Sequence, residues 1–158
     1  MDRRYVPKSA FLRAVLSEAG PLSGSAEGAQ NLKQLIRLTE DADVSNRDWA
    51  IFLLAQEEVD GEDVRAALFN ATNDADNVVR AEALLGLAKR DRSLALPLVR
   101  KELAGEVACV PLFEAAALLA DSSLVEDLRD FAAPSGNAYL DSEAAEALQA
   151  CEGMAPRG

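Results

Sequence analysis

The sequence has no histidine and only two cysteines, Cys109 and Cys151, which are far apart in the chain. Without histidine, neither a Ser/His/Asp nor a Cys/His catalytic arrangement can form, and the usual Cys/His zinc sites are excluded. Neighbouring carboxylates are common, but in a chain this acidic they are expected by chance and through the preference of acids for helix N-termini. We therefore expect no enzyme, no metal site and no cofactor.

Basic residues and long apolar runs are also scarce. The net charge is −11 with a sequence pI near 4.4, which argues against nucleic-acid binding because that affinity rests on Lys and Arg. No apolar run approaches the length of a membrane span, and no apolar signal segment follows the first residues. We expect a cytoplasmic protein with no membrane partner. The acidic balance serves solubility, or alternatively a basic protein partner.

Aromatic residues make up only 5% of the chain, whereas alanine supplies much of its apolar content. This composition suits close helix packing better than a β-sandwich, so we predict an all-α fold. A length of 158 residues is that of a single domain. We expect this domain to cover residues 1–158, with residues 1–7 and 152–158 flexible.

A repeated pattern organises the chain. Residues 74–88 align with residues 41–55 at a shift of 33, with an Asp at both turns and Ala and Leu at matching helix positions. A third copy lies 32 residues further on, at 114–120, and a degenerate fourth at 143–148. A period of this length is typical of stacked two-helix units, each of which buries its apolar face only against its neighbours. Below, the first helix of each unit is its A helix and the second its B helix.

Capping residues predict where helices begin. Ser9 would cap an N-terminal helix and Asp60 an A helix, while Ser45 and Ser123 each precede an acidic residue by three positions, as in a capping box. Pro97 and Pro111 are expected in the first turns of the third A and B helices, where a missing amide is tolerated. The last helix is expected over residues 141–151.

The residues Asp76, Val79, Arg80, Ala83, Leu84, Gly86, Leu87 and Ala88, at this spacing, resemble the HEAT-repeat pattern. The likeness is greatest to the short HEAT-like repeats of the bilin-lyase type and covers residues 29–150 with decreasing clarity; the first copy has Asn46 where Val is usual. The resemblance implies a right-handed α-solenoid of about four antiparallel helix pairs with an N-terminal capping helix. It also implies that the B helices line the concave side and that this side binds a partner.

Polar and aromatic positions between the core positions of the B helices are the candidate binding residues. They are Asp48, Trp49, Phe52, Gln56, Glu82, Leu85, Lys89 and Glu114. An aromatic and aliphatic strip edged by carboxylates is typical of a protein-binding surface, with Trp as a candidate anchor. The alternative is that Trp49 and Phe52 pack under the N-terminal helix, because terminal repeats need a cap.

Two functions remain open. The first is a non-enzymatic protein-interaction or scaffold module. The second, which only the bilin-lyase likeness suggests, is a chromophore lyase or another small-molecule-binding component. A tetrapyrrole site needs aromatic walls and basic partners for its propionates, whereas the B helices offer mainly Glu82, Glu114 and Glu146. Repeat similarity alone does not carry an enzymatic activity.

Two further features allow a functional or a structural interpretation. Arg47 and Arg80 occupy equal repeat positions and each follows an Asp by four residues. They either bind a ligand or belong to a structural ladder, in which Asp43 and Asp76 accept hydrogen bonds from these arginines or from helix amides. Cys109 lies near a predicted helix start, where the helix dipole favours the thiolate. Its apolar neighbours favour a buried structural role instead.

Overall fold

A computed structural model describes residues 6–17, 20–56 and 59–153 of the chain. Every regular element in these ranges is helical: α1 (Ala10–Leu16), α2 (Ala26–Leu38), α3 (Val44–Gln56), α4 (Glu62–Ala71), α5 (Asn77–Arg90), α6 (Arg92–Leu103), α7 (Val110–Leu119), a 3-10 turn (Ser122–Leu124), α8 (Val125–Arg129) and α9 (Ala138–Cys151). None of the described helices is long and apolar enough to cross a bilayer. The expected flexible ends lie largely outside the described residues, at 1–5 and 154–158.

The helices form four successive pairs preceded by α1, which confirms the predicted α-solenoid. The A helices are α2, α4, α6 and α8, and the B helices are α3, α5, α7 and α9. Each B helix packs against the next one, α3 on α5, α5 on α7 and α7 on α9, while α1 packs on α3. Stacking the apolar faces in this way gives one continuous core that runs through all the pairs.

Gly86 permits the close approach of helices in the middle of this stack. A Cβ atom at this position would lie 2.9 Å from Leu68 Cδ2, closer than real Cβ atoms approach, and 3.1 Å from Ala55 Cβ, which is tighter than most real contacts. The neighbouring Ala83 is wholly buried. Small residues on α5 therefore set the distance at which α3 and α4 pack against it.

An aspartate opens the first two B helices. Asp76 is the N-cap of α5, and its Oδ1 accepts hydrogen bonds from the amides of Val78 and Val79. At the equivalent point of the first repeat, Asp43 Oδ1 accepts the Ser45 amide at 2.9 Å. The predicted Ser45 capping box is therefore wrong, because α3 begins one residue before Ser45 and the repeat's Asp does the capping.

Three other helix starts differ from the prediction. The N-cap of α4 is Gly61, because the Asp60 carboxylate is used by Arg65 and by the Gly61 amide. Ser123 caps nothing, since its own amide donates to Asp121 Oδ1 in the 3-10 turn. The Asn137 side chain accepts two amides and starts α9 at Ala138, ahead of the predicted residue 141.

Of the three remaining predictions about helix starts, two agree with the structure and one does not. Ser9 caps α1 by accepting the Leu12 amide, and Pro111 lies in the first turn of α7, both as predicted. Pro97 lies in the second turn of α6 rather than the first, because Asp91 caps that helix and Arg92 begins it. Proline has no amide hydrogen, so one carbonyl group in the preceding turn lacks its donor within the helix. Pro97 is exposed, and solvent can therefore hydrogen-bond to that carbonyl group.

Candidate binding groove

The B helices share one elongated groove, whose volume is about 1090 Å³. Its lining residues come from α3, α5, α7 and α9 and from the caps of the last two helices. We call it the B-helix groove. It lies on the side of the solenoid where the candidate binding residues were expected.

Six of the eight predicted site residues line the groove together. They are Asp48, Gln56, Glu82, Leu85, Lys89 and Glu114. The floor is formed by residues that are almost fully buried, with Glu82 1% and Leu85 4% exposed. Gln56 and Lys89 are exposed at one rim, and the Lys89 ammonium donates to the Ala55 carbonyl oxygen at 3.2 Å. Glu114 is half-buried between floor and rim.

The other two predicted residues, Trp49 and Phe52, are not among the groove-lining residues. Both are half-buried and packed against the core, with their rings edge to face at a centroid distance of 5.6 Å. The N-terminal helix α1 packs on α3, the helix that carries them. This placement is closer to the alternative in which the terminal repeat is capped than to a pair of binding anchors.

Sequence reasoning missed two exposed apolar side chains in the groove. Leu118 is 50% exposed on α7, and Tyr139 is 62% exposed in the first turn of α9. Leu118 precedes the buried Leu119 and was hidden by the repeat alignment, in which its position matches Gly86. Tyr139 fell before the predicted start of the last helix. Recognising Asn137 as a capping residue would have placed Tyr139 on that helix.

Carboxylates cluster where α7 meets α9, with Glu114 in the groove and Glu143 and Glu146 on α9 beside it. Burial raises the pKa of Glu114, and the charge of Glu143 raises it further, while Lys89 acts in the opposite direction. Burial and the nearby Glu146 raise the pKa of Glu143. The same carboxylates, Glu143 most strongly, raise the pKa of the Tyr139 phenol. This end of the groove therefore carries a concentrated negative field.

The two repeat arginines form the structural ladder, with partners other than those expected. Arg47 binds Asp74 through two hydrogen bonds, and Arg80 binds Glu102 in the same way. Each arginine also donates to carbonyl oxygens of its own turn. Asp43 and Asp76 accept hydrogen bonds from helix amides, which is one of the two expected kinds of donor, while the guanidinium groups reach the next acid along the stack.

Cys109 lies at the N-cap of α7 and lines the groove. Burial raises the pKa of its thiol to about 12, so desolvation outweighs the helix-start effect that would favour the thiolate. The structure therefore supports a buried structural role for Cys109 and not a reactive thiolate. Within the described residues, no group of three or more Cys, Asp or Glu side chains is arranged to hold a metal ion.

Comparison with known proteins identifies the repeat. A family model described as HEAT repeats matches residues 30–110. The general HEAT model supports no narrower likeness to the bilin-lyase type. Protein YibA of Escherichia coli K12 is 31% identical over 91 residues, which covers 58% of this chain and 32% of YibA; the O157:H7 protein gives the same values. This chain thus spans about a third of those relatives.

A solved structure has the same architecture. The X-ray structure of Escherichia coli YibA superposes with a TM-score of 0.57 at 22% identity, and the match covers 88% of this chain and 54% of that one. At this identity the likeness shows the fold alone. It extends the repeat architecture beyond the residues that the family model matches.

Proposed function

The chain belongs to the HEAT-repeat family, and we propose that it is a non-enzymatic interaction module that binds a segment of a partner protein in the B-helix groove. The observation that carries this proposal is the presence of the exposed apolar side chains Leu118 and Tyr139 in a groove with half-buried carboxylates. Apolar and aromatic anchors surrounded by polar groups are typical of protein-binding surfaces. The cytoplasmic location stays a prediction.

The groove chemistry favours a peptide segment over a tetrapyrrole. The volume of about 1090 Å³ is large enough for either. Asp48, Glu82 and Glu114 line it, however, and Lys89 is the only Lys or Arg among the described lining residues. Propionate groups would meet carboxylates rather than cations. No observation therefore favours the lyase alternative.

Peptide selection tests the proposal directly. A library of short linear peptides is displayed on phage and selected on the wild-type protein, and enriched peptides are titrated by fluorescence anisotropy. We expect Leu118→Asp to weaken them about tenfold or more, because a charge replaces an apolar contact in the groove. Leu94→Asp is the matched control, since Leu94 is 37% exposed on α6 and does not line the groove.

Two results would overturn the proposed function. One is a library that yields no saturable binder. The other is a set of binders whose affinity is reduced by Leu94→Asp and left unchanged by Leu118→Asp. Circular dichroism on both variants establishes that any loss of affinity comes from the surface and not from unfolding.

A further inference from the structure

Resting on the proposed function, we propose that the occupant of the B-helix groove is a basic amphipathic segment of a partner protein. One of its Lys or Arg side chains lies at the contact of α7 and α9, against Glu114 and Glu143, with its aliphatic part on Leu118 and Tyr139.

Charge complementarity is the first support. Glu114, Glu143 and Glu146 make no ion pair with any cation in the described part of the chain, although Glu114 and Glu143 are partly buried. Several acids elsewhere in the stack do have such partners: Asp74 with Arg47, Glu102 with Arg80, Asp121 with Arg92 and Glu152 with Arg129. The three glutamates therefore form a cluster beside the groove whose charge an external cation can neutralise.

The apolar surface beside these glutamates is the second support. Leu118 and Tyr139 line the groove from the same two helices and are half or more exposed. The methylene chain of Lys or Arg packs well against such surfaces while its charged end reaches a carboxylate. A cation near the face of a tyrosine ring gains additional stabilisation. An acidic or purely apolar segment would satisfy only part of this surface.

The internal cation of the groove does not occupy this place. Lys89 is near enough to lower the pKa of Glu114, but its ammonium is bound to the Ala55 carbonyl oxygen at the end of α3. It therefore leaves the contact between α7 and α9 negative. Glu143 gains no such compensation, because the nearby charge that acts on it is that of Glu146.

The same arrangement makes binding dependent on pH. Burial and mutual repulsion favour the protonated forms of Glu114 and Glu143, whereas a bound cation favours the ionised forms. Binding should weaken as the pH falls through the raised pKa values of these carboxyls, which lie above the ordinary glutamate value. The other titratable groups of the groove and its α9 edge are Asp48, Glu82, Lys89, Cys109, Tyr139 and Glu146.

Two synthetic peptides of equal length and apolar content test the inference. One carries Lys at its polar positions, and the other carries Glu. Anisotropy titrations use the wild-type protein, the double variant Glu114→Gln/Glu143→Gln and a charge-matched control, Glu62→Gln/Glu126→Gln. Glu62 and Glu126 are exposed on the A helices α4 and α8, away from the groove.

We expect the basic peptide to bind at least about tenfold more tightly than the acidic one. The groove variant should lose about tenfold in affinity for it and should flatten the pH profile between pH 4 and 7.5, whereas the control variant keeps both. A change in the pH profile separates recognition of a cation from a general effect on structure.

The inference is overturned if neither peptide binds, if both bind alike, or if the two double variants weaken the basic peptide equally. The last result would mean that net charge alone attracts the peptide. The proposed function is judged separately, by the response of library-selected peptides to Leu118→Asp. It can stand when the basic partner is rejected, and it fails only if those peptides bind elsewhere or cannot be selected.

Discussion

Arg47 on α3 joins the first repeat to the second by binding Asp74, which lies in the turn before α5. Its Nε and Nη2 donate to the two carboxylate oxygens at 2.8 and 3.1 Å. Asp74 Oδ1 also accepts the Asp76 amide at 2.9 Å, so the same carboxylate shapes the turn. Both side chains are largely buried, at 18% and 9% exposure. One guanidinium thus fixes two successive turns of the stack.

Arg47→Ala should therefore destabilise the protein by roughly 2–3 kcal/mol, because a largely buried carboxylate loses charged hydrogen bonds. Urea denaturation followed by circular dichroism measures the change. Arg65→Ala is the matched control: it breaks the exposed pair with Asp60, in which the two side chains are 43% and 45% exposed. It should reduce stability much less, because solvent screens an exposed ion pair. Equal losses of unfolding free energy for the two variants would contradict the stabilising role of the Arg47–Asp74 pair.

Gly86→Ala should destabilise by about 1 kcal/mol or more, despite the higher helix propensity of alanine, because the new methyl group overlaps Leu68 and Ala55. The same substitution in a Leu68→Ala background should cost less, since the overlap with Leu68 is then relieved and only the close contact with Ala55 remains. Chemical denaturation of the four proteins gives the coupling energy. A coupling near zero would show that α4 does not approach α5 at this glycine.

Glu114→Gln should raise the thermal midpoint at pH 7.5. The folded protein holds the Glu114 proton more tightly than the unfolded chain does, so the ionised carboxylate reduces stability above the folded pKa. The gain should shrink as the pH falls through that pKa, where Glu114 itself becomes neutral. Glu126→Gln on the exposed face of α8 is the control. A lower thermal midpoint for Glu114→Gln at pH 7.5 would show that the ionised Glu114 carboxylate stabilises the protein, which contradicts the prediction.

Trp49, the only tryptophan, should report on α3 and not on the occupied groove. It is half-buried against the core and does not line the groove. Acrylamide quenching of its fluorescence should therefore change little when a groove-binding peptide saturates the protein. A large fall in the quenching constant on binding would place the indole ring in the interface.

The repeat register was sufficient to predict the helix pairs and six of the residues that line the groove. The equivalence of Glu82 and Glu114 placed both on one surface, where the structure also has them. The same register predicted Trp49 on that surface, but Trp49 does not line the groove. The first B helix presents Asp48 and Gln56 to the groove and packs Trp49 against the core. It also contacts α1, and the internal pattern of the repeat does not contain that contact.

The acidic partners of the repeat arginines could not be predicted from the sequence either. Arg80 binds Glu102, which lies 22 residues away on α6. No local spacing points to that partner, because the contact depends on how one A helix lies over the preceding B helix. Tyr139 was missed for a different reason. The last helix was predicted to begin at residue 141, whereas Asn137 caps it and Ala138 begins it.

Chemical-shift mapping tests the central claim, that the B-helix groove binds a protein segment, most directly. The ¹⁵N-labelled protein is titrated with a library-selected peptide while its backbone amide resonances are followed. We expect the largest changes on α7 and the start of α9, around Glu114, Leu118 and Tyr139, with smaller changes on α5. Saturation that produces its largest changes on the A helices α2, α4 and α6, with the groove residues unshifted, would contradict it.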